Sequence, residues 1–321
     1  MITRRSAIIA PAILAAPAVQ AQAWPARPIR MVVPWPPGQA TDLIGRLFAE
    51  ALTQRLGVPV TPENRAGAGG TIGTDVVAKA AGDGYTILAA SAGPVTISPL
   101  VQRVPYDVAR DLAPIALGGT SPYVLVTHPN FPAQNLPEFI ARVRAAPGRH
   151  TFASSGTGAT AHLVNEFFNF TAGIEAVHVP FQGSTPAITA ILGGQVDYTL
   201  ETAAATMPHV RAGRLRGYGV SLRDAGAITN DLPTFSAFFN NPGFHMGAWI
   251  GLMAPASTPA AIQERLARES MAWLATPEAR ERFATVGLAM DVRGPAEFAA
   301  YLASQRTMFT DVVRRANIRA E

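Results

Sequence analysis

The stretch "PIRMVVPWPPGQATDLIGRLFAEALTQRLG", residues 28–57, contains the repeating unit of the fold. Its apolar and β-branched residues up to Trp35 predict a buried strand. After a loop containing proline and glycine, apolar residues recur at helical spacing, and Gly57 predicts the helix end. The predicted apolar face consists of Leu43, Ile44, Leu47, Phe48, Ala51 and Leu52. A strand followed at once by a covering helix is the unit of a parallel sheet.

The same alternation continues along the chain. Helical patterns separate further strand patterns such as "YTILAAS", "YVLVTHP", "HTFASS", "AVHVPF" and "QVDYTLE", and the last third is mostly helical. These repeated units predict an α/β fold of mainly parallel sheets flanked by helices on both faces. At roughly 150 residues per domain, the length predicts two domains. No low-complexity linker divides the chain, so we expect the chain to cross between two sheets.

The first residues have the three-part layout of a secretory signal peptide. Arg4 and Arg5 form a basic start, an apolar run occupies residues 7–19, and the small-residue site Ala21-Gln22-Ala23 follows. We expect residues 1–23 to be a signal peptide cleaved near Ala23, with export to the periplasm as a soluble protein. An ordinary Sec signal is favoured over a twin-arginine signal, and the run is shorter than the about 20 apolar residues of a membrane span.

Composition argues against several classes of protein. The absence of cysteine excludes disulfides, thiolate catalysis and cysteine-based zinc sites. The six histidines show no metal-binding spacing, so no metal and no cofactor are expected. The net charge is only +4, Lys79 is the only lysine, and the arginines are scattered among acids. A nucleic-acid partner is therefore not expected, because it requires a clustered basic surface.

Two loops, each between a predicted strand and a predicted helix, are the candidate binding site. The first loop is residues 34–42, "PWPPGQATD", and the second loop is residues 154–162, "SSGTGATAH". Ligands of parallel sheets bind beyond the carboxyl ends of the strands, where helix N-termini attract anions. The loops therefore predict an anion cradle without a cationic side chain. Its candidate residues are Trp35, Gly38, Gln39, Ala40, Thr41 and Asp42, and Ser154, Ser155, Gly156, Thr157, Gly158, Ala159 and Thr160.

The second loop is open to other interpretations. Gly156, Gly158 and Ala161 fit the dinucleotide fingerprint G-x-G-x-x-A, but the next strand, "AVHVPFQG", ends without the acid that would bind a ribose. A nucleophile elbow requires glycines at other positions. A phosphate loop requires a Gly-Lys-Ser/Thr ending that is missing. The remaining alternative is an ordinary turn.

Other residues near these loops have structural or wall-forming interpretations. Asp42 is interpreted chiefly as a stabilising carboxylate in a first helical turn, and His162 as a histidine that hydrogen-bonds a neighbouring loop. Ser91 follows a predicted strand and is expected to face the cleft. Phe181 and Trp35 are expected to form apolar walls on opposite sides.

The order of several motifs along the chain resembles that of a known family. The segments are "VVPWPPGQATD", "ENRAGAGGTIGTDVVAKAAGDGYTIL", "VPYDVARDLAPI", "FASSGTGATAHL", "HVPFQGSTPAITAILGGQVD", "WIGLMAPASTP" and "GPAEFAAYLASQRTMFTDVVRRANI". Together they cover most of the chain after the signal peptide. The chain resembles the Bug-type periplasmic solute receptors of tripartite tricarboxylate transporters.

This resemblance implies a two-lobed type II periplasmic-binding-protein fold that closes on a small organic acid. It places residues 24–126 plus 247–321 in lobe 1 and residues 127–246 in lobe 2, with crossings near Thr127 and Met246. It further implies that the two loops grip one ligand carboxylate from opposite lobes. The implied partners are membrane transporter subunits, and the protein is expected to be a monomer and not an enzyme. A sensory receptor for a membrane kinase and a dinucleotide-dependent enzyme stay open as alternatives.

Two positions depart from the pattern of the family. The first loop has Gln39 and Ala40 after Gly38, where the family usually has a second glycine. A positive φ at Gln39 would cost about 1–2 kcal/mol, so either the turn differs or the Gln39 amide enters the cleft. The other departure is Glu201, where the family often has Asp or a smaller group. If Glu201 faces the pocket, it would disfavour a second carboxylate and favour an amino group or a hydroxyl.

Overall fold

The structure is a computed structural model that describes residues 24–223, 226–229, 232–241, 244–315 and 318. The signal peptide predicted for residues 1–23 lies outside these described residues. The strands are β1 (Ile29–Val33), β2 (Val60–Asn64), β3 (Thr86–Ser91), β4 (Leu112–Thr127), β5 (His150–Ser154), β6 (Ala176–Pro180), β7 (Tyr198–Thr202), β8 (Arg216–Val220), β9 (Gly247–Pro255) and β10 (Ala289–Arg293).

Helices follow most of the strands. They are α1 (Ala40–Leu56), α2 (Thr71–Ala78), α3 (Ser98–Val101), α4 (Val108–Asp111), α5 (Leu136–Arg144), α6 (Thr160–Ala172), α7 (Ser184–Leu192), α8 (Ala203–Arg211), α9 (Phe235–Phe238), α10 (Ala260–Leu274), α11 (Pro277–Thr285) and α12 (Pro295–Arg315). Short 3₁₀ turns occur at Ala68–Gly70 and Gly226–Thr229, and a π-helical turn occurs at Gly93–Ile97. Within the described ranges, no helix is both long and apolar enough to cross a membrane.

The strands form one mixed sheet in the order β2-β1-β3-β9-β4-β7-β5-β6, with β8 and β10 paired to β4. Strand β1 is parallel to β2 and β3, and β5 is parallel to β6 and β7. The antiparallel pairs found among the described strands all involve β4 or β9, the two long central strands. The predicted α/β fold is confirmed, and its parallel parts lie on either side of these two strands.

Strand β4 joins the two parts of the sheet. From Leu112 to Pro122 it pairs with β9, and from Tyr123 to Thr127 it pairs with β7 and β8. We call β1, β2, β3, β9, β10 and the first part of β4 the first half-sheet. The second half-sheet consists of β5 to β8 and the last part of β4. The change of partners between Pro122 and Tyr123 marks where the chain passes from one to the other.

Helix α1 shows how the repeating unit packs. Ile44, Phe48 and Leu52 are fully buried, as the helical spacing predicts, whereas Leu43 and Leu47 are only partly buried. Burying each such side chain contributes about 1.5–3 kcal/mol. Gly57 ends the helix in the left-handed region, with φ of 73°, and its amide donates to the Thr53 carbonyl.

The last helix packs against both parts of the molecule. Near its start, Phe298 contacts Trp249 of β9, with ring centroids 5.3 Å apart. Near its end, Phe309 and Val312 belong to the apolar core of the second half-sheet, together with Phe168. Helix α12 therefore bridges the two half-sheets, in addition to β4.

Candidate ligand-binding site

A cavity of about 480 Å³ is lined by both half-sheets. Trp35 and Ser91 lie at or just after the carboxyl ends of β1 and β3 in the first half-sheet. Ser155, Gly183 and Thr202 occupy the corresponding places at β5, β6 and β7 in the second. The cavity thus lies where parallel α/β sheets bind their ligands.

Four helices begin at this cavity without a capping side chain. They are α1 in the first half-sheet and α6, α7 and α8 in the second, and their N-cap residues are Gln39, Ala159, Gly183 and Thr202. Elsewhere, α5 and α11 begin with Asn135 and Thr276, whose side chains accept hydrogen bonds from the first turn. The first amides of a helix have no partner within that helix. Without caps, those at the cavity are available to an anion.

The first loop is held in place by Asp42, a buried residue. The Asp42 carboxylate accepts hydrogen bonds from the Gly38 amide at 2.9 Å and from the Asn64 amide group at 2.8 Å. It also pairs with Arg46, one helical turn further on. Burial raises the pKa of Asp42, but the hydrogen bonds from Arg46, Gly38 and Asn64 outweigh it and leave the pKa below its ordinary value. The carboxylate is therefore ionised and fixes the turn.

Gln39 adopts an extended conformation, with φ of −75°, so the strain expected from a positive φ does not arise. The neighbouring Gly38 takes the left-handed conformation instead, with φ of 84°. The Gln39 side chain extends into the cavity toward the second half-sheet. Its Nε2 lies 3.7 Å from the position that a Cβ of Gly183 would occupy. The Trp35 indole is fixed by a 2.8 Å hydrogen bond from its Nε1 to the Ser91 hydroxyl.

The second loop is held by two histidines. The Gly158 amide donates to His162 Nδ1 at 3.1 Å, and the Ser154 hydroxyl hydrogen-bonds His178 Nε2 at 2.6 Å. The two imidazole rings stack with centroids 3.8 Å apart. Burial, followed by the charge of His162, lowers the pKa of His178 to about 4. His178 is therefore neutral at pH 7.

Of the residues that the sequence singles out, ten line the cavity. They are Trp35, Gly38, Gln39, Ala40, Thr41, Ser91, Ser155, Ala159, Thr160 and Glu201. The other six lie outside its lining and are Asp42, Ser154, Gly156, Thr157, Gly158 and Phe181. Asp42, Ser154 and the Gly156 and Gly158 amides make hydrogen bonds within their loops. Phe181 is partly buried and packs against the apolar cluster that contains Ile188.

Glu201 lies at the end of β7 and is only 1% exposed. Its Oε1 accepts a hydrogen bond from the Thr202 amide at 2.9 Å, whereas its Oε2 has no hydrogen-bond partner in the described part of the chain. Burial raises the pKa of this carboxyl to about 7, and the Thr202 amide and the hydroxyls of Ser184 and Ser155 act in the opposite direction.

Several lining residues were missed by the analysis of the sequence. The start of α7, with Ser184 and Thr185, and the start of α8 both face the cavity. The segment "QGSTPA" has the same Gly–hydroxyl pattern as the two loops, so its composition could have identified the first of these. Tyr123 lies within an apolar strand pattern that gives no sign of a site. Only the pairing of β4 with β7 brings this residue to the cavity.

One cationic side chain from outside the two loops, Arg211 of α8, also lines the cavity. Its guanidinium donates to the Ile228 carbonyl at 3.0 Å, and the residue is exposed. Neither of the two loops contributes a cation. Among the residues that the structure describes, no group of three or more acidic or histidine side chains could hold a metal ion.

Two half-sheets joined by long crossing strands, with helix N-termini around a cavity between them, define the class of periplasmic binding proteins. Such proteins hold a ligand between two lobes. This class agrees with what the comparisons with known proteins show.

Residues 44–316 match the family described as "Tripartite tricarboxylate transporter family receptor". The chain is 38% identical to protein BugT of Bordetella pertussis over 308 residues, which are 95% of this chain and 94% of BugT. A solved R. palustris protein with adipate superimposes with a TM-score of 0.84 at 28% identity, covering 92% of this chain and 99% of that one. MatC from Rhodopseudomonas palustris with bound malate superimposes with a TM-score of 0.80 at 30% identity, and the match covers 90% of this chain and 100% of MatC.

The chain therefore belongs to the tripartite tricarboxylate transporter receptor family. Members of this family are periplasmic solute-binding receptors and not enzymes, so the dinucleotide-dependent interpretation of the second loop does not apply. The resemblance found in the sequence is confirmed.

Proposed function

We propose that this protein captures a small organic carboxylate by closure of two lobes and delivers it to a tripartite tricarboxylate-type membrane transporter. One observation carries the proposal: four uncapped helix N-termini, from both half-sheets, surround one cavity. Two members of the same family with known structures hold adipate and malate, which are both carboxylates.

In this proposal the lobes correspond to the two half-sheets. The partner change of β4 supports a lobe boundary between Pro122 and Tyr123, a few residues before the 126/127 boundary suggested by the sequence. The return crossing at the start of β9 stays near Met246. The packing of Phe309 and Val312 supports assigning the end of α12 to the second lobe, rather than to the first.

The lobes are expected to close on the ligand because each lobe contributes some of the amide donors. Ala40 and Thr41 begin α1 on one side, and Thr160 and Ala161 begin α6 on the other. A hydrogen bond to a charged group contributes about 1.5–3 kcal/mol. Only the closed state lets one carboxylate use amides from both lobes, so the ligand binds that state more tightly and shifts the population toward it. A transporter that contacts both lobes would then distinguish the loaded receptor from the empty one.

A thermal-shift screen tests carboxylate capture. The probes are adipate, malate, succinate, short monocarboxylates, amino acids, NAD and ATP, each followed up by calorimetry. We expect at least one carboxylate to bind with micromolar affinity or better, about −8 kcal/mol. Binding of NAD or ATP in place of every carboxylate would overturn the proposal.

Delivery and export need tests in cells of the source organism. Deleting the gene should abolish uptake of the carboxylate found in the screen. A variant with Ala159→Asp, which places a carboxylate at the start of α6, should not restore that uptake. Unchanged uptake in the deletion strain would argue for a sensory role.

The periplasmic fraction should contain the chain cleaved near Ala23, and light scattering should show a monomer. An intact N-terminus in that fraction would contradict the proposed signal peptide.

A further inference from the structure

Glu201 has an unsatisfied carboxylate oxygen at the cavity. Its Oε1 is occupied by the Thr202 amide, and its buried Oε2 has no partner among the described residues. The hydroxyls of Ser155 and Ser184 are close enough to influence the carboxyl, but neither forms a hydrogen bond with Oε2. A buried acceptor without a partner costs free energy, so a donor on a bound molecule would be stabilising.

The other ionisable side chains of the cavity form no ion pair with Glu201 in the described part of the chain. The ionisable side chains in the lining are Tyr123, Glu201 and Arg211. Tyr123 is buried, and Glu201 is one cause of its raised pKa, so the phenol stays neutral. Arg211 donates to the Ile228 carbonyl, and no ion pair of Glu201 is found within the described ranges. The cavity therefore combines amide donors with one acidic acceptor.

This combination matches a particular ligand chemistry. The helix N-termini suit a carboxylate, whereas Glu201 suits a group that donates hydrogen bonds and carries positive charge. A second carboxylate on the ligand would have to share a proton with Glu201, because two adjacent carboxylates cannot both ionise. A hydroxyl would satisfy Oε2 but would leave the buried charge uncompensated.

We propose that Glu201 selects a ligand with a cationic amino group beside its carboxylate, the ammonium donating to Oε2. This inference rests on the proposed capture of a carboxylate by the helix N-termini. Glu201 is then a specificity-determining residue that contacts the ligand, and amino acids are the expected class of solute.

The proposal predicts a proton exchange. With a pKa of about 7, Glu201 carries a proton in part of the empty receptors at pH 7. An ammonium requires the ionised form, so binding releases that proton and affinity rises from pH 6 to pH 8. A dicarboxylate that shares a proton with Glu201 would instead take up protons, and its affinity would fall over the same range.

Other titratable groups near β7 do not produce this signature. Burial raises the pKa of Glu201, the Thr202 amide and the nearby hydroxyls of Ser184 and Ser155 lower it, and no charged side chain contributes. Helix α7 carries no titratable side chain. The groups on the other elements packed against β7 are Tyr123 on β4, His150 on β5, His162 and Glu166 on α6, and His209 and Arg211 on α8. A comparison of the wild type with an isosteric variant removes their contribution.

The experiment is calorimetry on pairs of acids that share a carbon skeleton. The pairs are L-aspartate against succinate, L-glutamate against glutarate, and L-leucine against 4-methylpentanoate, each in buffers of different ionisation enthalpy. We expect at least one amino acid to bind, with its deaminated counterpart weaker by at least about 30-fold. Protons should be released on binding at pH 7.

Two variants separate selection from folding. Glu201→Gln should reduce the preference for the amino acid to a few-fold and eliminate the proton release, while melting at or above the wild-type temperature because an unpaired buried acid is removed. Glu201→Asp should keep the preference. If plain carboxylates bind as well as amino acids, or bind with proton uptake, the inference fails and carboxylate capture stands. If no member of any pair binds but another carboxylate of the screen does, the inference alone fails; if no carboxylate binds at all, both fail.

Discussion

The two loops present helix N-termini to the same cavity, but different chemistry holds them. The first loop is fixed by one ionised carboxylate, Asp42, which accepts hydrogen bonds from the Gly38 amide and the Asn64 side chain and forms an ion pair with Arg46. The second loop is fixed by a stacked pair of imidazoles, His162 and His178, of which His178 is neutral at pH 7. The first arrangement is constant above the low pKa of its carboxylate. The second gains charge only as pH falls toward the His178 pKa of about 4, so the loops should respond differently to charge and to pH.

The largest expected effect comes from occupying the anion site with the protein's own carboxylate. Ala159 is the uncapped N-cap residue of α6 and lines the cavity. In Ala159→Asp the new carboxylate should cap α6, stabilising the fold by about 1 kcal/mol, while ligand affinity falls more than about 100-fold. Gln39→Asp should do the same at α1. Thermal melts and calorimetry measure the two effects.

A matched control uses a helix that begins elsewhere. Helix α10 begins after Pro259, which also provides no capping side chain and does not line the cavity. Pro259→Asp should leave affinity unchanged. Equal loss of affinity in the control, or retained affinity in Ala159→Asp, would show that the amides at the cavity do not hold the ligand.

The next effect concerns the anchor of the first loop. Asp42→Ala leaves the Gly38 amide, Asn64 and Arg46 without their shared acceptor, and we expect a loss of about 2 kcal/mol in the free energy of unfolding. Asp42→Asn retains an acceptor for Gly38 and should lose less. Urea denaturation at pH 7 measures both. A cost below 0.5 kcal/mol for the alanine variant, an order-of-magnitude threshold, would mean that the loop is held by other contacts.

The second loop should be sensitive to acid. The pKa of His178 is about 4 in the folded protein and 6.5 ordinarily, so between these values the unfolded chain binds more protons. Stability therefore falls as pH drops from 6.5 toward 4, by about 1 kcal/mol after allowing for the partly exposed ring. His178→Gln, which retains a partner for Ser154, should flatten this part of the pH profile. An unchanged profile in the variant would place the acid sensitivity elsewhere.

The smallest effect tests the wall of the first loop. Trp35→Phe keeps the apolar surface but removes the 2.8 Å hydrogen bond to Ser91. We expect the affinity for the best ligand of the screen to fall by about 1 kcal/mol, with a similar or smaller change in stability. Ser91→Ala, which removes the other partner, should have the same effect, and the double variant should cost no more than either single one. Additive losses would indicate that the two side chains act separately.

Much of the fold was predictable because it depends on local patterns. The apolar spacing of Ile44, Phe48 and Leu52 defined α1, and strand patterns located each parallel strand beside its helix. The central antiparallel strands were harder to predict. Nothing in the run from Leu112 to Thr127 shows that one strand changes partners after Pro122, because that depends on strands far away along the chain.

The candidate site divides in the same way. Gln39 and Ala159 were found because a Gly-rich loop before a helix is a local feature that exposes amides. Ser154 and Gly158 were assigned to the ligand, but the structure uses them to hold the loop, since His178 and His162 occupy their polar groups. Phe181 was assigned to the cavity from its place after β6, but it is absent from the cavity lining and packs, partly buried, against an apolar cluster.

By itself, the sequence determined the succession of strands and helices, the two glycine-rich loops at helix N-termini and the family to which the chain belongs. These features depend on residues close together in the sequence, because local spacing and composition determine which segments form strands, helices and turns. Only the tertiary structure decided that α7 and α8 also begin at the cavity, and that Glu201 is buried there with one oxygen unpaired. The burial of a side chain and its hydrogen-bond partners depend on which distant segments pack together, and a local sequence pattern does not show which segments these are.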